Sequence, residues 1–124
     1  MKLWAPAAYW RTPKGLREEI TGGCGPGGIG DMLIPDTIWG LSVKPACAIH
    51  DWMYHFGDTD QHKTQADRVF LNNMLRIIKN KTKWKWLARL RIRRAKTYYF
   101  FVKHCGGPAF WDAKNPIEEF KVYV

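Results

Sequence analysis

Only three residues, Gly57-Asp58-Thr59, separate two stretches of helical apolar periodicity. A link that short makes consecutive helices pack antiparallel. Ser42 is a fair N-cap and Pro45 suits a first helical turn, so the first helix is predicted over 44–56, stopping at Gly57. The second begins at Thr59 or Asp60 and runs over about 60–79. Its apolar residues, among them Ala66, Phe70, Leu71, Met74 and Ile78, keep to one broad stripe. Arg68, Asn72, Arg76 and Lys79 lie opposite. Asp67 sits inside the apolar stripe, where a carboxylate is costly without a partner, and the antiparallel return lets it face His50.

The first helix contains Cys47-Ala48-Ile49-His50-Asp51-Trp52-Met53-Tyr54. At about 100° per residue, His50, Tyr54, Cys47 and Asp51 fall at about 0°, 40°, 60° and 100°. Four chemically capable side chains therefore share one face, while Ile49, Trp52 and Met53 point elsewhere. Adjacent His50 and Asp51 diverge too far to bond each other, but they can serve neighbouring parts of one site.

Upstream, Gly22-Gly23-Cys24-Gly25-Pro26-Gly27-Gly28-Ile29-Gly30 places six glycines in nine residues. That composition is neither helix nor strand, and it lets the backbone approach a ligand closely. Such a loop offers carbonyls to a hard cation or N–H groups to an anion. A nucleotide loop calls for Lys-Ser or Lys-Thr next, and Ile29-Gly30-Asp31 argues against it. Residues 1–21 read as an arm packed on the domain, with a helical turn at Leu16 to Ile20. Residues 31–43 read as an irregular connector, and 105–124 as a loop with a short terminal strand, Phe120 to Val124.

The 124 residues are enough for one domain with a modest core, and 46% apolar residues exclude a disordered chain. No apolar run approaches a membrane span. Residues 68–111 contain 12 Lys and Arg and no acid, interleaved with Trp84, Trp86, Tyr98, Tyr99, Phe100 and Phe101. A third helix is predicted over 82–103, packing through Leu87, Leu90 and Ala95. Basic residues with aromatics indicate an anionic membrane surface or a nucleic acid. Three cysteines allow at most one internal disulfide, which leaves the redox compartment open. The start of the chain is apolar but short and broken by Pro6, and it lacks the pattern of a signal peptide.

Three blocks in order carry a resemblance: Cys24-Gly25-Pro26-Gly27-Gly28, Cys47-x-x-His50-Asp51-x-x-Tyr54, and Ala66-Asp67-Arg68. Together they resemble the calcium loop, the active-site helix and the partner helix of the phospholipase A2 superfamily. The likeness covers roughly residues 23–78. Ala46 and Met53 stand where secreted animal and venom members carry cysteines, so the chain is closer to the compact, disulfide-poor microbial and viral members.

The resemblance implies a mainly α fold in which two antiparallel helices carry the site, beside a glycine-rich calcium loop and the basic third helix. It implies a single domain over 1–124, with the motif region at 22–79. It implies Ca²⁺ held by the Asp51 carboxylate and the carbonyls of Gly23, Gly25 and Gly27, with the Gly25 N–H as an oxyanion donor. His50 is then the base, Asp67 its carboxylate partner, and Tyr54 steadies Asp67. The implied reaction is hydrolysis of the sn-2 ester of glycerophospholipids. The implied disulfide joins Cys24 to Cys47 and leaves Cys105 free. The expected partner is an anionic phospholipid surface, with no obligate protein partner, reached by secretion or delivery to a target membrane. The alternative is a catalytically silent basic protein that binds anionic membrane or nucleic acid. A His-Asp phosphohydrolase ranks lower, because His55, His62 and His104 lack the spacing of a metal cluster.

Overall fold

A computed structural model describes residues 2–20 and 35–111. The described chain is mainly helical. After two short helices, α1 (Ala7–Arg11) and α2 (Lys14–Ile20), comes a hairpin of β1 (Thr37–Ile38) and β2 (Leu41–Ser42). Then follow α3 (Lys44–Phe56), α4 (Asp60–Lys81), α5 (Lys85–Cys105) and α6 (Gly107–Trp111). The glycine-rich stretch with Gly23, Cys24, Gly25 and Gly27 lies outside the described residues, as does the strand expected at Phe120 to Val124.

α3 occupies the span its sequence predicts, with Pro45 in the first turn and Gly57 as C-cap. Its N-cap is Val43, not Ser42, and Val43 offers no side-chain bond. Ser42 Oγ instead accepts the Lys44 N–H at 3.4 Å. α4 is capped by Thr59, whose Oγ1 accepts the His62 N–H at 3.1 Å. The three-residue link returns the chain antiparallel, and α4 runs two residues past the expected end.

α4 is the central helix, packed against α3 on one side and α5 on the other. Lys63, near the start of α4, bonds the carbonyl of Val102, near the end of α5, so this pair is antiparallel too. α5 starts at Lys85 rather than 82, because Thr82 and Trp84 are extended and use the link to reverse direction. It buries Ala95, Tyr98 and Val102, with Ala88, Ile92 and Tyr99 partly covered. Ala95 is the expected contact; Leu87 and Leu90 are half-exposed and lie outside that seam.

Two further expectations are corrected. The supposed irregular connector contains the hairpin, closed by Trp39 at φ 46° and Gly40 at φ 77°. Positive φ at both central residues is the turn whose twist suits a two-residue hairpin. Arg91 and Tyr98 of α5 donate to the carbonyls of Trp39 and Thr37 and hold it against the bundle. Residues 107–111, expected as loop, form α6, whose Phe110 is fully buried against Tyr54.

The N-terminal arm packs on the bundle as predicted, through more structure than one helical turn. Tyr9 of α1 joins Ile49 and Trp52 in a second apolar cluster on the back of α3. Asn73, buried in α4, clamps the arm with reciprocal bonds, accepting the Trp4 N–H at 2.7 Å and donating to the Trp4 carbonyl at 2.8 Å. Among the described residues no helix is long and apolar enough to cross a membrane.

Candidate active site

The facing stripes of α3 and α4 meet at a polar point inside the apolar core. His50 is fully buried, and its ring stacks on Phe70 of α4 with centroids 4.5 Å apart. Its Nε2 lies 2.8 Å from Asp67 Oδ1. Tyr54, one turn along α3, donates its hydroxyl to the same oxygen at 2.6 Å. The approach of Asp67 to His50 expected from the short link is therefore present, and Tyr54 stands where it was expected.

One member of the site escaped the sequence reading. Lys63 Nζ lies 2.8 Å from Asp67 Oδ2 and donates to the carbonyl oxygens of Val102 at 2.9 Å and Lys103 at 3.3 Å. The Lys63–Asp67 spacing of four residues on one helix was the available signal. The Tyr54 hydroxyl also reaches the Val102 carbonyl at 3.4 Å. Gly106, the C-cap of α5, packs directly against that hydroxyl.

These contacts set the charges. Burial pushes the Asp67 carboxyl upward, but the His50 hydrogen bond and charge, with Lys63 and Tyr54, outweigh it and hold the group below the usual carboxylate range. Burial lowers the His50 imidazole; the Asp67 bond and charge oppose this, Lys63 adds to it, and the net direction is down. Burial raises the Tyr54 phenol, helped by the charge of Asp67, so it stays a donor. The result at neutral pH is an ionised Asp67 and a neutral His50. With the Nε2 proton directed at the carboxylate, Nδ1 carries the free lone pair. Nδ1 is buried and has no hydrogen-bond partner among the described residues.

Asp51, the next residue on α3, is 8% exposed. Its Oδ2 is likewise buried without a partner, and burial raises its carboxyl to about 7. A carboxylate in this position lacks compensation from any described side chain, and a cation supplies that compensation. Among the described residues no three His, Cys, Asp or Glu side chains converge on one point. The three carbonyl ligands expected from Gly23, Gly25 and Gly27 lie outside those residues. Cys47, one turn before Asp51, is disulfide-bonded with a partner outside the described residues, and Cys105 is free and exposed. Of the remaining histidines, His62 pairs with Asp58 at 2.9 Å on the surface.

Comparison with protein-family models, with curated proteins and with solved structures returns no match.

Proposed function

We propose that the chain is a calcium-dependent hydrolase that cleaves the sn-2 ester of glycerophospholipids. One observation carries the reading. A buried His-Asp pair presents a ring nitrogen with no partner among the described residues, and the next residue is a buried carboxylate whose Oδ2 has none there either. The order of the glycine-rich loop, the Cys-x-x-His-Asp helix and the Asp67 helix adds the resemblance to phospholipases A2.

His50 Nδ1 takes the proton from a water as that water attacks the ester carbonyl. Asp67 keeps the imidazole in the tautomer that leaves Nδ1 free and stabilises the imidazolium that forms. Tyr54 and Lys63 hold the Asp67 carboxylate ionised and fixed. The proton then leaves His50 for the departing lysophospholipid oxygen, and the fatty acid is the other product. Asp51 fits a hard cation, and the carbonyls of Gly23, Gly25 and Gly27 complete the ligand set that the resemblance implies. When bound, calcium supplies Lewis-acid polarisation of the carbonyl and charge for the oxyanion. The Gly25 N–H is the proposed second oxyanion donor.

The test is release of fatty acid from phosphatidylglycerol vesicles with calcium and with a chelator. Release that stops in chelator and in His50→Gln supports the reading; full release in excess chelator refutes it. Hydrolysis faster on anionic than on zwitterionic vesicles, with the gap closing as salt rises, is expected from the basic α5.

A second reading, a catalytically silent basic binding protein, is favoured by the exposed Trp84, Trp86, Phe100 and Phe101 among the cations of α5. It leaves the buried Nδ1 and Asp51 without a use. Vesicle or nucleic-acid binding with no ester cleavage under any calcium condition would select it.

A further inference from the structure

The opposite end of the bundle carries a feature that chemistry at His50 does not use. Where α4 turns into α5 through Thr82-Lys83-Trp84, a groove of about 450 Å³ lies between the two helices. Its floor is aliphatic, from Leu75 and Ile78 of α4 and Ala88 and Ile92 of α5. Ile78 is 1% exposed, so the floor is continuous with the core. The rim is cationic, from Lys79, Lys83, Lys85 and Lys96. None of these four ammonium groups has an ion-pair partner among the described residues. Residues 68–111 contain no acid at all. Trp84 stands at the edge, 61% exposed, with its ring stacked on that of Trp86 at 6.3 Å.

Two requirements act on any occupant. The floor rewards a flexible apolar chain, since burial is worth about 25 cal/mol per Å² of apolar surface. The rim rewards negative charge and repels cations. A free anion satisfies only the rim, and a neutral hydrocarbon only the floor. A nucleic-acid strand calls for several aromatic stacking platforms, whereas Trp84 is the one ring among the described residues that line this groove. We propose that this groove binds one acyl chain of an anionic lipid, with the head group on the lysine rim and Trp84 at the interface. The lining residues nearest that site are Leu75, eight residues or about 12 Å along α4 from Asp67, and Lys96, six residues or about 9 Å along α5 from Val102, and neither bonds His50 or Asp67. The groove is therefore separate from the His50–Asp67 pair, and occupancy does not depend on hydrolysis.

The probe is dodecyl phosphate below its micelle-forming concentration, titrated calorimetrically into the whole chain. Dodecylphosphocholine, with the same chain and a zwitterionic head, is the first control, and inorganic phosphate the second. One-to-one binding of dodecyl phosphate at least tenfold tighter than either control is expected. Replacing all four rim lysines by Gln, a surface change that leaves the core intact, should weaken it at least tenfold. Ala88→Leu, which fills the floor, should weaken it too. His50→Gln should leave the titration unchanged, which separates this site from the hydrolytic reading. Equal affinity for both head groups overturns the proposal, and so does free phosphate binding as tightly as dodecyl phosphate. Unchanged affinity in the four-lysine variant overturns it as well. Failure of dodecyl phosphate to bind, with an oligonucleotide captured through the same lysines, assigns the surface to nucleic acid instead.

Discussion

Lys63 Nζ meets Asp67 Oδ2 at 2.8 Å, on the carboxylate oxygen opposite the one that takes His50 and Tyr54. All three donors thus converge on one carboxylate, and the ammonium also ties it to the last turn of α5 through Val102 and Lys103. Lys63→Met leaves Oδ2 without a donor in a mostly buried place. A loss of stability of about 1–3 kcal/mol is expected, together with a lower kcat at little changed KM. Lys63→Arg, which keeps the charge, should retain most of both. Urea unfolding and steady-state kinetics on the pair of variants check this, and equal behaviour of Met and Arg would show that the charge is unimportant.

Calcium should stabilise the folded chain through Asp51. One carboxylate with carbonyl ligands belongs to the weak class of sites, with Kd about 10⁻⁴–10⁻³ M. At about 10 mM calcium, mass action then adds about 1.4–2.7 kcal/mol. Thermal unfolding with calcium and with a chelator measures it. Asp51→Asn should abolish the shift while leaving the fold intact, and a shift that survives in that variant would place the ion elsewhere.

Stability should respond to pH through opposed groups. The folded-state pKa of His50 is below its ordinary 6.5, so the folded chain binds fewer protons than the unfolded one, and stability falls as pH drops below 6.5. Asp51 is raised from 3.8 to about 7, so its term runs the other way, and stability falls as pH rises from 3.8 towards 7. Asp67 is lowered, and its contribution is present above 3.8 and lost in stronger acid. Removing the opposing term should expose the histidine. Urea midpoints in chelator between pH 4 and 7 should rise more steeply with pH in Asp51→Asn than in the parent chain.

Gly106→Ala tests the last turn of α5. A Cβ at this position would stand 2.5 Å from the Tyr54 hydroxyl and closer still to the Val102 carbonyl oxygen. The added methyl must shift the last turn of α5 at Val102 and displace the Tyr54 hydroxyl. Lower stability and slower hydrolysis are expected together, by unfolding and ester-release assays. Tyr54→Phe, which removes the hydroxyl that Gly106 abuts, should relieve part of the stability loss.

The helical pair was legible because its signals are local. Thr59, Gly57 and Pro45 mark the ends, and the short link between them determines that Asp67 returns to His50. The hairpin escaped because its turn sets Trp39 at positive φ, a conformation that a bulky residue rarely adopts. α5 starts later than its sequence indicates because Thr82, Lys83 and Trp84 carry no helix-breaking signal; the reversal of the chain, not propensity, keeps Thr82 and Trp84 extended. Lys63 showed its spacing to Asp67, but its grip on Val102 spans 39 residues and depends on how α5 returns. Asn73 likewise looked like one more polar residue of α4, because its partner is backbone in an arm whose path no local pattern gives.

The Asn73–Trp4 clamp has a consequence for synthesis. It joins residues 69 apart, so Trp4 leaves the ribosome long before its partner exists. At about 5–20 residues per second, that delay is on the order of 3–14 s. Tyr9 waits for a shorter part of it, until Ile49 and Trp52 follow 40 and 43 residues later. The arm is thus a late-docking element in a chain whose helices form from nearby contacts. The nascent protein is most prone to aggregate before α4 has been translated.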